Sequence, residues 1–248
     1  MVFDTETTSL NKPFCYDIGY CICDKNNFNI IHTAHYVIEQ IWHNQPLFST
    51  AYYAEKRPLY VQAMRAHKII MTKFGYAMRA MMQDIKKYNV TSAYAYNSPF
   101  DDKVLTYNCD WYHVTNPLEN IPIFDIKGYA NNFITVLTNY KKFCIRNQLL
   151  TENGNYSATA ENVYRFITNN TEFNEKHMGL DDSIIEHAIL VQCIVDYGAK
   201  IDTVYKPQQI IAYDQPKPFA IKINGNTIYS GEYIKKSVNY DEYNFVVV

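Results

Sequence analysis

The stretch Val2-Phe3-Asp4-Thr5-Glu6-Thr7-Thr8 is the strongest constraint on how this chain folds. Two apolar residues lead into Asp4 and Glu6, which stand two positions apart. On a strand, alternate side chains point the same way, so both carboxylates face one side. Like charges held side by side repel, and burial makes each charged form less favourable still. One resolution is a solvated strand edge. The other is a divalent cation between the carboxylates, since hard ions take oxygen ligands.

Composition narrows the classes of partner. The chain has 248 residues, 48% hydrophobic and 19% charged, which fits one sizeable domain, or a domain with an appendage, and excludes a disordered chain. A net charge of −2 and a pI near 6.4 leave no global basic field to hold a long duplex. A nucleic-acid substrate would therefore be gripped locally, by metals and a pocket. The 23 tyrosines can pack, hydrogen-bond or stack on bases, so their number alone decides nothing. Cys15, Cys21, Cys23, Cys109, Cys144 and Cys193 contain no C-x-x-C pair, and without a secretory segment they are expected as free thiols in a reducing compartment. No apolar run approaches the roughly 20 residues that span a membrane, so the expectation is a cytoplasmic protein with no membrane partner.

Taken in order, residues 15–24 and 28–38 read as two strands joined by the turn Asp24-Lys25-Asn26-Asn27. Residues 39–60, with Trp42, Phe48, Tyr52 and Tyr53, read as an irregular aromatic flap. A helical period runs over 61–87, placing Met71, Phe74, Met78, Met81 and Ile85 on one core-facing stripe. Val90–Tyr96 reads as a strand, broken by Pro99, and Phe100–Tyr107 as a helix. Then follow a strand over Ile121–Ile126, helices over 131–146 and from Ser157 to about Thr168, with Ser157 as cap, and a helix from Leu180 to about Tyr197. Past residue 200, prolines punctuate the chain, and Phe219–Ile223, Asn224-Gly225-Asn226 and Thr227–Tyr233 read as a hairpin. Strands followed by strand–helix alternation predict an α/β fold built on a mixed sheet flanked by helices, with a C-terminal β-hairpin appendage.

Two further stretches carry chemistry. In Tyr96-Asn97-Ser98-Pro99-Phe100-Asp101, Asp101 sits where a strand gives way to a helix, suited either to ligand binding or to helix capping. Asp102 beside it reads as solvated. In His177-Met178-Gly179-Leu180-Asp181-Asp182, the histidine precedes a helix and is either a surface residue or a functional one. The two aspartates fall in the helix's first turn, where carboxylates complement the dipole. Helical period alone does not choose between them.

In this order, F-D-T-E-T-T, N-x-x-F-D and H-x-x-x-x-D resemble the DEDDh 3′–5′ exonucleases, which include polymerase proofreading subunits, RNase T and oligoribonuclease. The motifs span residues 3–182. Together with Thr159-Ala160-Glu161-Asn162-Val163-Tyr164-Arg165-Phe166, the region from Tyr156 to Leu190 is similar to phage and host members. The resemblance implies a ribonuclease-H-like fold over residues 1–200, and leaves 201–248 as an extension without a role. It implies metal-ligand roles for Asp4, Glu6, Asp101 and Asp182, and a general base at His177. The family's step from histidine to aspartate selects Asp182 over Asp181. It further implies substrate-binding roles for Thr7, Thr8 and Leu10, beside the terminal nucleotide, and for Phe100, behind Asp101. The first strand begins almost at Met1, which is short for the family.

The residues suit that chemistry. Four carboxylates can hold two Mg²⁺ or Mn²⁺ ions about 4 Å apart. An imidazole with an ordinary pKa of about 6.5 can take a water's proton near neutral pH. A zinc site is disfavoured because Cys/His ligand sets are lacking, and a serine hydrolase because G-x-S-x-G is absent. The expected substrate is a single-stranded nucleic acid with a free 3′ end, DNA before RNA. Trp42 and the tyrosines of the 39–60 stretch are either its aromatic contacts or ordinary core, and the expectation is that Trp42 serves binding more than folding. The rival readings are an RNA or oligonucleotide exonuclease, a silent nucleic-acid-binding module, and a subunit that contacts a polymerase or replication partner through its tail.

Overall fold

The computed structural model describes residues 1–208 and, beyond them, two strands. The chain opens with three strands in succession: β1 (Val2–Thr7), β2 (Cys15–Cys23) and β3 (Ile30–Ile38). Asp24 Oδ1 accepts from the amides of Asn26 (2.7 Å) and Asn27 (3.4 Å), an aspartate turn that reverses the chain between β2 and β3. Then come α1 (Glu39–Trp42), α2 (Gln45–Phe48), a short 3₁₀ turn at Ala54–Lys56, α3 (Arg57–Arg65), β4 (Ile70–Thr72) and α4 (Phe74–Lys87). The second half runs β5 (Ala93–Ala95), α5 (Ser98–Tyr112), β6 (Ile123–Asp125), α6 (Ile126–Phe133), α7 (Thr138–Arg146), α8 (Ala160–Thr168) and α9 (Gly179–Val195).

Six strands form one mixed sheet in the order β4-β3-β2-β1-β5-β6. The pairs β1–β2 and β2–β3 are antiparallel, while β1–β5, β5–β6 and β3–β4 are parallel. The fold is thus α/β, with a mixed sheet flanked by helices. Alternation along β1 sorts its side chains. Phe3 joins the main apolar cluster with Met78, Met81, Val104 and Leu105 of α4 and α5. Asp4 and Glu6 fall on the opposite face, where α9 lies against β1 and β2. The Cys21 thiol, opposite Val2 in the ladder, donates to Ser183 O of α9 at 3.7 Å, which marks the same face. All the cysteines are free, and all but Cys23 are buried.

Helix α9 reaches that face because two glycines let backbone meet backbone. A Cβ built on Gly19 would stand 1.8 Å from Leu180 N, and one on Gly179 would stand 2.6 Å from Gly19 N and 3.0 Å from Asp4 O. Gly19 is the ladder partner of Asp4. The first turn of α9 is therefore seated directly against the strand that carries the carboxylate pair.

Several expected boundaries move. Residues 39–60 are not irregular: they hold α1, α2 and the 3₁₀ turn, and Trp42 is core, 4% exposed and packed edge-on against Phe48. The 61–87 period is two helices with β4 between them. His67 takes a left-handed φ of 54°, and the run Ile70-Met71-Thr72 pairs with β3, so Met71 is a strand residue. Phe74, Met78 and Met81 are buried on α4 as expected. Pro99 starts a helix rather than merely ending a strand, because the first turn needs no amide from it. The expected helix over 131–146 is split, with extended backbone at Leu137 (φ −64°, ψ 137°). The cap of α8 is Thr159, whose Oγ1 accepts from Asn162 N at 3.3 Å, and not Ser157.

The chain groups into two compact units. Met1–Ile134 and Ala158–Gln208 make the first, and Thr135–Ser157 falls in the second with the two C-terminal strands. Residues 200–208 are tied into the first unit: Tyr129 OH donates to Lys200 O at 3.1 Å, and Tyr205 packs edge-on against Tyr129 and Phe133. In the second unit, β7 (Pro216–Ile223) and β8 (Asn226–Ile234) pair antiparallel, as the hairpin reading required. The anticipated turn residues Asn224 and Gly225 lie outside the described residues.

Candidate active site

Asp4 and Glu6 share the α9 face of β1, and α9 brings Asp182 to them. Candidate ligand atoms of Glu6, His177 and Asp182 all lie within 4.8 Å of one another. Asp182 is buried, and its Oδ2 accepts from Met178 N at 3.0 Å, while Oδ1 has no hydrogen-bond partner among the described residues. Asp181 behaves differently: it is partly exposed and pairs with Lys176 at 2.5 Å. Asp101 enters from the first turn of α5, where it is not the cap. Its Oδ1 accepts from Thr5 N (3.0 Å) and Thr5 Oγ1 (2.7 Å), which ties the carboxylate to β1 between Asp4 and Glu6. Asp102, next to it, is exposed. The four carboxylates and the histidine are therefore brought together.

Asp4 Oδ2, like Asp182 Oδ1, is buried and has no partner among the described residues. Buried carboxylate oxygens are rarely left so, because desolvation without a compensating bond is costly. The donor set is carboxylate oxygen with one imidazole, the set that suits Mg²⁺ or Mn²⁺. The residues therefore fit a divalent cation, which Glu6 and Asp182, with Asp4 and Asp101 beside them, could hold.

Electrostatics agree with that fit. Burial first, then neighbouring carboxylates, raise the Asp4 and Glu6 carboxyls well above their ordinary range. Burial pushes Asp182 up to about 9, with Glu175 and Asp17 adding to the rise. Burial likewise lifts Asp101 to about 7, against the lowering effect of the two Thr5 hydrogen bonds. These raised values fix a sign. The folded metal-free chain keeps protons that the unfolded chain has already lost above pH about 4. Its stability is thus fully present at low pH and falls as pH rises through about 7 and then about 9. In EDTA, we expect the melting temperature to drop steadily from pH 5 to pH 9. Mn²⁺ should restore it more at pH 8 than at pH 5, where protons compete for the same oxygens. A melting temperature in EDTA that is flat with pH would refute the buried-carboxylate picture.

His177 stands just before α9 with a left-handed φ of 55°. Burial, then the positive charge of Lys56, lower its pKa, so the imidazole is neutral at neutral pH. The Tyr53 ring stacks on it face to face, with centroids 3.8 Å apart and planes 8° from parallel. Tyr52, 84% exposed, meets Tyr53 edge-on at 4.8 Å. The preceding loop is shaped by Arg165 of α8, which pairs with Glu161 and donates to Phe173 O at 2.6 Å.

The remaining expected residues differ in exposure. Thr8 is buried, with an Oγ1 that has no partner among the described residues. Thr7 is half-buried and donates to Ser9 O at 3.3 Å. Leu10 is 72% exposed, and Phe100 packs partly against the core.

Three acids were not anticipated. Glu186, one turn beyond Asp182 on α9, is buried, accepts from Tyr96 N at 3.1 Å and is raised well above its ordinary pKa by burial and by Asp101. The i, i+4 step from Asp182 was the available signal. Glu175 reaches to 3.9 Å from His177 Nδ1, too far for a hydrogen bond, and burial pushes it up to about 7. Asp17 is the ladder partner of Glu6, a pairing that only the strand register reveals.

No protein-family model and no curated protein matches this sequence. Among the described residues, no helix is long and apolar enough to cross a membrane.

Proposed function

We propose that the protein is a two-metal 3′–5′ exonuclease on a ribonuclease-H-like fold, releasing nucleoside monophosphates from single-stranded DNA ends. The observation that supports the reading is the pair of buried oxygens without a partner among the described residues, Asp4 Oδ2 and Asp182 Oδ1, with Asp182 in a cluster with Glu6 and His177 and Asp4 in the electrostatic reach of Asp182 and Glu6. The mixed sheet order is compatible with that fold. Asp4, Glu6, Asp101 and Asp182 would hold Mg²⁺ or Mn²⁺. Bound there, the ions would lower the pKa of the attacking water and neutralise charge on the leaving 3′ oxygen. The chain's own residues do the rest. Thr5 orients Asp101, and Met178 N orients Asp182. His177, kept neutral by burial and Lys56, takes the water's proton. Exposed Leu10 and the exposed ring of Tyr52, which reaches His177 through Tyr53, would be available to the terminal nucleotides.

The test is digestion of matched 5′-labelled DNA and RNA oligonucleotides. Stepwise shortening from the 3′ end should need Mg²⁺ or Mn²⁺ and stop in EDTA. A 3′-phosphate should block it, and circular single strands should survive. Rapid cutting of circles would make the protein an endonuclease, and a strong preference for RNA would reassign the substrate.

The aromatic contact also needs correcting. Trp42 is core, so it is not available to a base. Trp42→Ala should instead destabilise the fold by roughly 3–5 kcal/mol. Tyr52 is the exposed ring beside the site, and Tyr52→Ala should weaken single-strand binding by about 1–3 kcal/mol at unchanged melting temperature. Equal DNA affinity in a filter-binding titration of Tyr52→Ala would remove the stacking argument.

A further inference from the structure

We infer that Tyr60 and Asp17 are positioning residues that clamp the turn carrying His177, and so set where that imidazole sits. What His177 does there rests on the exonuclease reading; that it is clamped does not.

The turn His177-Met178-Gly179 is held at three successive residues. Tyr60 OH lies 3.1 Å from His177 O. Met178 N donates to Asp182 Oδ2 at 3.0 Å. Gly179 N donates to Asp17 Oδ2 at 2.9 Å. Asp17 governs two of the three, because Tyr60 OH also donates to Asp17 Oδ2, at 2.6 Å. A phenol has one hydrogen, so the shorter bond to the carboxylate is the main one and the carbonyl shares it. His35 Nε2 closes the network on Asp17 Oδ1 at 2.7 Å. Asp17, His35 and Tyr60 are all buried.

A clamp has work to do at this place. His177 is held at a φ of 55°, a region that costs a side-chain-bearing residue energy unless its surroundings impose it. The residue is half-buried, in the loop that enters α9. Neither bond to Asp17 is needed to satisfy the sheet, since Asp17 already pairs through its backbone between Glu6 and Val37. The carboxylate instead stabilises the positive end of α9 at Gly179 and, through Tyr60, the residue two before it. Tyr60 is also fixed in place: its ring packs edge-on against Tyr16 at 6.0 Å and near His35 at 6.4 Å.

Tyr60→Phe keeps the ring and removes only the hydroxyl. Asp17 retains Gly179 N and His35, so the fold should survive, as circular dichroism will check. We expect kcat to fall by about 10-fold, with KM and the Mg²⁺ requirement unchanged. In a His177→Ala background the same change should have no effect on the residual rate, because the group being positioned is gone. Equal losses in both backgrounds would mean a merely structural role and would overturn the inference, as would an unchanged kcat in the single variant. A readout free of catalysis completes the test. The NMR signal of the His177 Cε1–H should shift and broaden in Tyr60→Phe while that of the remote His113 stays put. If the wild type degrades no nucleic acid, the exonuclease reading fails and this signal alone decides the clamp: a changed His177 resonance supports it, and an unchanged one overturns it.

Discussion

Asp182→Ala should reduce nuclease turnover by at least about two orders of magnitude, while Asp181→Ala stays within about twofold of wild type. The two residues are neighbours in the first turn of α9, with the same charge and the same distance from His177 in sequence to within one step. Their surroundings separate them. Asp182 is buried with one oxygen that has no partner among the described residues, and its burial pushes the carboxyl up to about 9. Among the described residues no cation pairs with it, and a divalent ion would supply the positive charge that a buried carboxylate needs. Asp181 has its positive charge already, in Lys176 at 2.5 Å, and is partly exposed. Removing it deletes a surface ion pair worth less than about 1 kcal/mol. The check is steady-state turnover on a single-stranded oligonucleotide, paired with calorimetric titration of Mn²⁺. Loss of binding heat should accompany loss of rate in Asp182→Ala only. Full activity in Asp182→Ala with loss in Asp181→Ala would show that the wrong aspartate had been chosen and with it the wrong face of α9.

Much of this candidate site is legible in residue types and spacing because its carboxylates and histidine sit in short local patterns. A carboxylate pair two apart on an apolar strand, an aspartate just past a strand end, and a histidine ahead of a helix each declare themselves within a few residues. What could not be read is whatever depends on register. Asp17 joins the site only because β2 pairs Glu6 with it, and a one-residue slip would have turned it to the other face. Tyr53 stacks on His177 across more than a hundred residues of chain, and no spacing rule reports that. Trp42 was misplaced for a related reason. Residues 39–60 contain two one-turn helices too short to show a period, so an aromatic core segment reads as a flap. Conversely, the apolar period over 61–87 ran through β4, because Met71 is apolar in either structure and a three-residue strand leaves no alternation to detect.

Gly19→Ala should destabilise the protein by more than about 3 kcal/mol, the upper end of what added core atoms usually cost. The new methyl would lie 1.8 Å from Leu180 N and 2.0 Å from Gly179 C. Both are backbone atoms at the start of a helix, so neither can swing aside as a side-chain end would. Either α9 lifts from β1 and β2, or β2 shifts in its ladder. Lifting α9 also draws Asp182 away from Asp4 and Glu6, so the loss of stability should bring loss of Mn²⁺ binding with it. Gly75→Ala provides the contrast within the same protein. Its methyl would meet Val114 Cγ1 at 3.2 Å, a side-chain atom that can give way, and it sits in helix α4. There alanine gains roughly 0.5–1 kcal/mol over glycine from backbone entropy, enough to offset the close contact. Urea denaturation should therefore show a large fall in midpoint for Gly19→Ala and little change, or a small rise, for Gly75→Ala. A Gly19→Ala protein with wild-type midpoint and wild-type Mn²⁺ affinity would mean that α9 does not rest on β2 as described, and the assembly of the carboxylates would need another explanation.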